Sequence, residues 1–187
     1  MNLFILDQDP VVAAQSQCDI HVNKMIIESG QMLSTVHRML DGNMERRLSK
    51  SGKIRVQYWK LDDDREDILY KACHFNHPCT VWTRESLANY EWHYKHFIAL
   101  CKEKEYRTGK EHLTYTKLHK ALKTPPYNIP IYKLTPFKLA MKSNPECITE
   151  CPIESYRAFY QTKQHRFKMA WTKRPKPEWF KYANVWF

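Results

Sequence analysis

The stretch CDIHVNKMIIESGQ, residues 18 to 31, sets the pattern for the whole chain. Cys18, Val22, Met25 and Ile26 recur at helical spacing and form an apolar face, which Ser29 continues. Polar residues recur beside that face at the same three- and four-residue steps, at Gln17, His21, Lys24, Glu28 and Gln31. The stretch therefore predicts a helix with an apolar face and, next to it, a column of side chains able to take or give protons.

Helical patterns recur along the chain and predict a mainly α fold. One compact domain, residues 1–187, is expected, with about four to five helices, long loops and little or no sheet. The predicted helices cover approximately residues 10–40, 61–75, 80–106, 108–124 and 154–171.

The segments between these helices have distinct compositions. Residues 1–6, MNLFIL, are apolar and predict an extended segment against the core. Residues 43–60 are basic and irregular, which predicts a surface loop with a short hairpin. The proline-rich residues 125–152 predict a loop wrapped over the domain, and residues 170–187 a basic aromatic tail packed on it.

The overall charge points to a polyanionic partner. The chain has 187 residues, a formal net charge of +10 and a pI of about 9.3, which is typical of nucleic-acid-binding proteins; the alternative is that the charge serves solubility alone. No apolar run approaches the roughly 20 residues of a membrane span. The start MNLFILDQDP is unlike a signal peptide. We therefore expect an intracellular, cytoplasmic monomer with reduced cysteines and no membrane partner.

Several known catalytic motifs are missing from the sequence: the Gly-rich phosphate loops, the G-x-S-x-G elbow and the zinc deaminase pairing. The segment CHFNHPC brings Cys73, His74, His77 and Cys79 together, but structural zinc sites usually draw their ligands from two separated pairs. We expect no metal and no organic cofactor. Asn76 and His77 are then polar groups at a break between helices, and the cysteines are small apolar fillers.

Glu28 is the strongest candidate for a catalytic group. Flanked one turn away by His21, Lys24 and Gln31, it can be held partly desolvated, as a general acid or base requires. The alternative is a solvated helix face, the commoner outcome for an isolated Glu/Lys pair. The helix predicted over 80–106 provides further candidate substrate contacts: Trp82, Asn89 and His93 from one row of side chains, and Arg84 from its solvated stripe.

Basic and aromatic residues interleave near the carboxyl end, from 157 to 181. Basic groups neutralise phosphates and aromatic rings stack on bases, so this region predicts a DNA contact through Lys173, Arg174, Lys176 and Trp179. The alternative is that the aromatic residues pack onto the core. If the tail only covers the domain, the DNA-binding face is expected in residues 46–60.

Three motifs resemble the pyrimidine-dimer DNA glycosylases, a family known from T-even phages. DIHVNKMIIES is similar to the family's first helix, with Asp19, His21 and Glu28 at the spacing of its Asp-x-His and catalytic glutamate. FNHPCTVW is similar to its His-Pro segment, which leads into a long helix. RPKPEWFKY, residues 174–182, is similar to its Arg-Pro-x-Trp-Tyr-Lys-Tyr tail. Together the motifs touch most of the chain in the family's order.

The sequence also departs from the family. Ile27 and Gln31 stand where the family's type enzyme has arginines around its glutamate. The family's nucleophile is the α-amine of a small second residue, whereas the second residue here is Asn2, which is too large for removal of the initiator methionine. The corresponding free amine would belong to Met1. The chain is also longer, mainly through residues 43–71 and the proline-rich loop.

The resemblance implies a DNA-binding base-excision enzyme, a DNA N-glycosylase with possible AP-lyase activity, encoded by a phage and acting in its host cell. It implies a bent duplex whose damaged or modified nucleotide is extruded beside Glu28 and the Met1 amine, with His21 in the catalytic set. Lys24, His77 and Arg84 become candidates for phosphate and base contacts, beside Asn2, Gln31 and Asn76. Two alternatives stay open: a DNA base-modifying enzyme on the same scaffold, or a non-catalytic nucleic-acid-binding protein.

Overall fold

The structure, a computed structural model, describes residues 1–49 and 51–183. About half of the chain is helical, and the described regular structure is seven α-helices and one two-stranded sheet. The mainly α prediction is thus confirmed, with more helices than the four to five expected. The elements are α1 (Pro10–Gln15), α2 (Asp19–Asp41), β1 (Asn43–Leu48), β2 (Arg55–Lys60), α3 (Arg65–Ile68), α4 (Pro78–Glu85), α5 (Leu87–Thr108), α6 (Leu113–Lys123) and α7 (Pro152–Gln161).

Helix α2 forms the centre of the molecule and packs against α4, α5 and α6. Gly30 allows the close approach to α6, because a Cβ at that position would lie 2.8 Å from the Thr114 side chain. The apolar residues of α2 and α5 join one hydrophobic core with the extended segment at residues 3–6, whose side chains are buried as predicted.

The helix predicted over residues 10–40 is two helices, α1 and α2. Asp9 caps α1 by accepting hydrogen bonds from the N–H groups of the first turn, and the chain turns into extended backbone at Cys18. The break frees backbone carbonyls, and the buried Arg107 donates to those of Gln15 and Gln17 at 3.0 and 2.9 Å. This long-range partner stabilises a break that helical periodicity does not predict.

The helix predicted over residues 80–106 is likewise two helices, α4 and α5. Ser86 is extended (φ −156°, ψ 157°), and its side chain caps α5 by accepting a hydrogen bond from the N–H of Asn89 at 3.1 Å. A serine that accepts from the N–H three residues later competes with helix continuation, so the pattern of apolar residues persists through a break in the backbone.

Most of the helix predicted over residues 61–75 is absent, and only the short α3 forms. The backbone there bonds to Arg38 of α2, which is 1% exposed. Its guanidinium donates hydrogen bonds to the carbonyls of Trp59, Glu66, Leu69 and Tyr70 and to the Glu66 carboxylate. Carbonyls directed at one buried cation are unavailable to a helix, so the chain remains irregular.

The hairpin predicted in residues 43–60 is present as β1 and β2, paired antiparallel from Asn43 opposite Lys60 to Leu48 opposite Arg55. Residues 125–152 form the predicted loop, with one 3-10 turn at Pro145–Cys147. The last helix is shorter than predicted: α7 ends at Gln161 and a 3-10 turn, Thr162–His165, follows. No helix in the described ranges is long and apolar enough to cross a membrane.

The described part of the carboxyl-terminal tail, residues 170–183, lies on the core. Trp171 donates a hydrogen bond to the Ser16 carbonyl at 2.9 Å, and Phe180 is completely buried. Trp179, predicted to contact DNA, packs with its ring edge towards Tyr160 and Phe180. The aromatic residues of the tail therefore pack onto the domain, the alternative considered from the sequence. Residues 184–187 of the predicted tail lie outside the described residues.

Candidate functional site

The amino-terminal segment lies against α2 and brings the chain's first amine to the polar column. Asn2 organises this arrangement: its side-chain N–H donates to the Ala140 carbonyl at 3.1 Å, and its Oδ1 accepts from the N–H of Phe4 at 3.0 Å. Phe4 has a φ of 49°, a left-handed conformation that is costly for an aromatic residue. The bond from Asn2 helps to hold Phe4 in this conformation.

Glu28 is the point at which the amino terminus meets α2. Its Oε2 accepts a hydrogen bond from the backbone N–H of Asn2 at 2.8 Å and lies 3.7 Å from the Met1 amine nitrogen. Its Oε1 lies 3.6 Å from Nζ of Lys24, one helical turn earlier. Glu28 is 9% exposed, so it is a buried carboxylate beside an α-amine, and the solvated-face alternative does not describe it.

His21 is a buried neutral base in the same column. The Tyr160 hydroxyl accepts from the N–H of Cys18 at 2.9 Å and lies 2.8 Å from Nδ1 of His21, so its proton is free to go to that nitrogen. Burial first, and then the nearby cations of Lys24 and Lys163, lower the pKa of His21 to about 4.

These residues line an open cleft of about 240 Å³. Its described lining carries the Met1 amine and three basic side chains, Lys24, Lys163 and Arg166, against one carboxylate, Glu28. The other lining residues are Asn2, Phe4, His21, Met25, Ala140, Phe159 and Phe167. A cleft with this excess of positive charge favours an anionic ligand such as a phosphodiester.

Lys163 is the least expected member of the cleft. It is 7% exposed, its ammonium lies 3.4 Å from the centre of the Phe159 ring, and no carboxylate in the described residues pairs with it. Burial, followed by the charge of Arg166, lowers the pKa of Lys163 to about 8. The cleft therefore holds two amines, the Met1 α-amine and the Lys163 ε-amine.

Three further predicted contacts lie at or beyond the rim of the cleft. His77 caps α4 by accepting from the N–H of Cys79 at 3.3 Å, and burial, with the nearby Met1 amine, lowers its pKa. It lines a second cavity that also touches Ala140. Asn76 is exposed, and Gln31 lies one turn beyond Glu28 outside the cleft lining. His77 is thus adjacent to the site, and Asn76 and Gln31 are not brought into it.

Three predicted substrate contacts are completely buried, so the structure does not bring them into the cleft. Trp82 donates to the Thr135 carbonyl. The Asn89 side chain donates to the Trp82 carbonyl and the Thr135 hydroxyl and accepts from the N–H of Thr135. His93 bonds through Nδ1 to the Thr83 hydroxyl at 2.8 Å. All three side chains are 0% exposed and fix the α4–α5 junction and the loop around Thr135.

Arg84 and the three predicted tail cations are also engaged within the protein. Arg84 donates to the Phe75 carbonyl. Arg174 makes a bidentate ion pair with Glu103, with both N···O distances at 2.9 Å. Lys173 and Lys176 donate to the carbonyls of Tyr106 and Phe180, each at 2.8 Å. These side chains have partners within the protein and lie outside the cleft lining, and their binding to phosphates stays a prediction.

We therefore expect Lys173→Ala/Arg174→Ala/Lys176→Ala to lower the free energy of unfolding by about 2–3 kcal/mol, mainly because Glu103 is buried and loses one of its two arginine partners. Urea denaturation measures this loss. Lys168→Ala/Lys181→Ala, which removes two exposed cations from the carboxyl-terminal part of the chain, is the control and should leave stability within about 0.5 kcal/mol. A triple variant of unchanged stability would contradict the structural role of the tail cations.

The cysteine and histidine cluster at residues 73–79 does not converge. Cys79 is buried with its sulfur 3.7 Å from the Tyr156 hydroxyl, whereas the N–H of Cys73 bonds to the Thr35 hydroxyl. Over the described ranges, no group of three or more His, Cys, Asp or Glu side chains is arranged to hold a metal ion. All six cysteines are free thiols.

Sequence reasoning found Glu28, Met1, His21, Asn2 and Lys24 and missed the opposite wall of the cleft. That wall is formed by Phe159, Lys163, Arg166 and Phe167. These residues belong to the basic aromatic region 157–181, but charge and aromaticity are the same throughout it. The signal that distinguishes Lys163 is its burial, which follows from tertiary packing.

Compared with protein families, with curated proteins and with solved structures, the chain has no match. The resemblance to the pyrimidine-dimer DNA glycosylases therefore rests on the quoted motifs alone.

Proposed function

We propose that this protein is a DNA base-excision enzyme that attacks C1′ of a damaged or modified nucleotide with the Met1 α-amine, assisted by Glu28. The observation that carries the proposal is the contact of 3.7 Å between that amine and a buried glutamate in an open, positively charged cleft. An amine beside a carboxylate that can accept its proton is the pairing that covalent catalysis by an amine requires.

The proposed chemistry uses the two groups in sequence. The neutral amine nitrogen forms a bond to C1′, and the glycosidic bond breaks, so that the base leaves with the electron pair and takes a proton from solvent. Glu28 accepts the proton lost by the amine. Opening of the C1′–O4′ bond gives an iminium linking Met1 to the sugar, and Glu28 returns the proton to O4′. Glu28, again a carboxylate, then takes a proton from C2′, and the electron pair of that C–H bond expels the 3′ phosphate and cuts the strand.

The surroundings of the cleft support a polynucleotide substrate. Lys24 is exposed beside Glu28, Arg166 is exposed on the opposite wall, and Lys163 is buried between aromatic and basic groups. These cations suit the phosphates that flank an extruded nucleotide, and the rings of Phe4 and Phe167, which pack around His21, suit a base or sugar.

Base release is the direct test of the proposal. Ultraviolet-irradiated DNA, undamaged DNA and DNA with modified bases are incubated with the wild-type protein, and free base and strand cleavage are measured. Release from irradiated DNA supports a pyrimidine-dimer glycosylase. Activity confined to modified DNA supports the same chemistry on another base. Binding of all three without product would overturn the proposal in favour of a non-catalytic DNA-binding protein.

Borohydride trapping identifies the nucleophile, because reduction of an iminium leaves a stable protein–DNA adduct. We expect the adduct on the peptide that begins at Met1. An added amino-terminal glycine converts the Met1 nitrogen into an amide and displaces the free amine, and it should reduce trapping by at least about a hundredfold. Lys163→Met is the matched control, since it removes the other amine of the cleft and should leave the adduct on Met1.

Two outcomes would contradict the role of the Met1 amine. An adduct on the peptide that contains Lys163 would transfer the role to the ε-amine. Base release without any adduct would mean that water attacks C1′, with Glu28 as its general base.

A further inference from the structure

The hairpin of β1, β2 and their connection, residues 43–60 and called here the basic hairpin, has no role in the cleft. Its sequence carries six cations and a single acid, Glu45. Glu45 pairs with Arg47, so it does not neutralise the remaining cations. The described cations of the basic hairpin are all exposed: Arg46, Arg47, Lys53, Arg55 and Lys60.

The basic hairpin is anchored only near its base. Trp59 packs against Phe75 with ring centres 5.1 Å apart, its carbonyl accepts from Arg38, and the Tyr58 hydroxyl donates to Glu66. Towards the tip, in the described residues 46–49 and 51–56, the hydrogen bonds stay within the hairpin itself. A two-stranded ribbon about 20 Å long therefore extends from a rigid base.

One face of this ribbon alternates apolar and basic side chains. Residues directly opposite in an antiparallel pair share a face, so the register places Met44, Arg46 and Leu48 on one face with Arg55, Gln57 and, at the anchored base, Trp59. Met44 and Leu48 are 55% and 64% exposed, and Ile54 beside the tip is 63% exposed. An isolated ribbon with exposed apolar residues is marginally stable and prone to aggregation unless a partner covers it.

We propose that the basic hairpin is a second DNA-binding element, which enters the major groove of duplex DNA with its Met44–Leu48–Arg55 face. The major groove, about 12 Å wide, admits a two-stranded ribbon. The arginines and lysines lie on the phosphates, and the apolar side chains contact base edges such as thymine methyl groups. This inference rests on the proposed function for its substrate, DNA, and adds a surface that fixes the duplex.

The position of the hairpin relative to the cleft supports this assignment. Glu28 and the end of α2 at Asp41 are separated by 13 residues, about 20 Å along the helix, and β1 begins directly after that end. Twenty ångströms is about six base pairs, since B-DNA rises about 3.4 Å per pair. The spacing between the cleft and the hairpin along α2 thus lies within the length of one short duplex.

The salt dependence of binding provides the test. Arg46→Ala/Arg55→Ala removes two cations from one face and leaves the anchors Tyr58 and Trp59 in place. With the full-length protein and an undamaged short duplex between about 50 and 200 mM salt, the slope of log affinity against log salt should flatten by about two units. Lys110→Ala/Lys123→Ala, which removes two exposed cations elsewhere, is the control of equal net charge and should flatten it by less than one.

Further variants separate contact from charge and from folding. Arg46→Lys/Arg55→Lys should keep the slope, because the phosphate contacts remain. Leu48→Ser/Ile54→Ser should weaken duplex binding about tenfold without changing the slope. Equal flattening in the two alanine variants would overturn the proposal, since it would mean that net charge alone governs binding.

The outcomes distinguish this proposal from the proposed function. Wild-type base release together with an unchanged slope in Arg46→Ala/Arg55→Ala would overturn the hairpin's role alone. A hairpin-dependent slope without base release would leave the hairpin as a DNA-binding element and overturn the enzyme. Binding of the wild-type protein to anionic vesicles but not to duplex, or self-association through the hairpin without DNA binding, would also overturn the hairpin proposal.

Discussion

Glu28→Gln is expected to lower the rate of base release by about a thousandfold while leaving the protein folded and bound to DNA. The amide keeps an oxygen that can accept the hydrogen bond from the N–H of Asn2, so the amino terminus stays in place. It carries no negative charge to stabilise positive charge on the sugar and accepts no proton from the amine 3.7 Å away. Losses of this size follow the removal of one positioned acid–base or electrostatic group.

Single-turnover base release at saturating DNA measures this effect without a contribution from binding. Glu91→Gln is the matched control, because it removes an exposed carboxylate from α5 and should leave the rate unchanged. Unfolding of Glu28→Gln in urea should remain within about 1 kcal/mol of wild type. A well-folded Glu28→Gln protein with near-wild-type turnover would remove Glu28 from the catalytic centre.

Local patterns in the sequence predicted those parts of the site that lie on one element. His21, Lys24 and Glu28 share one face of α2, so helical periodicity placed them together before the fold was known. The amino-terminal segment was predicted to be apolar and buried, and it is. That segment delivers the Met1 amine to Glu28 through Asn2, whose tertiary contact with Ala140 lies 138 residues away in sequence.

The failures of sequence reasoning have a common physical origin in long-range polar contacts. Arg38 has the sequence signature of a surface residue in a helix, yet it is buried and directs the backbone of residues 59–70. Arg107 and Arg174 share the buried Glu103. Each arginine was equally compatible with a phosphate contact, because charge alone does not reveal its partner.

Several histidines are also buried by tertiary packing, and their burial makes the protein sensitive to acid. His93 belongs to the polar row predicted on the helix over 80–106, but it is completely buried, as are His96, His37 and, nearly so, His21. Burial lowers the pKa of His37 to about 3 and that of His96 to about 4, and it holds that of His93 well below its ordinary value. All four are neutral in the folded protein at neutral pH.

Acidification from about pH 7.5 to about pH 5 is therefore expected to remove at least about 6 kcal/mol of stability. Above the unfolded pKa of about 6.5, both states are neutral and the histidines have no effect on stability. Below it, the unfolded chain binds protons that the folded protein does not bind until about pH 4 or lower, so stability falls as pH falls. Each of His21, His37 and His96 contributes about 2 kcal/mol of loss at about pH 5, and His93 adds to it.

Urea denaturation at several pH values measures this loss, which is comparable with the 5–15 kcal/mol that stabilises typical domains. His37→Gln can keep hydrogen bonds to Tyr90 and Arg65 and should reduce the dependence by about 1 kcal/mol per pH unit near pH 5.5. His165→Gln, at an exposed position, is the control and should leave the pH dependence unchanged.

Ion-paired carboxylates do not produce a loss of stability between about pH 7.5 and about pH 5. Burial raises the pKa of Asp41, but hydrogen bonds from Arg65 outweigh this effect and lower the pKa, so the stabilisation from Asp41 is lost only below about pH 4. Equal stability at about pH 5 and about pH 7.5 would mean that the four imidazoles are not held neutral by burial.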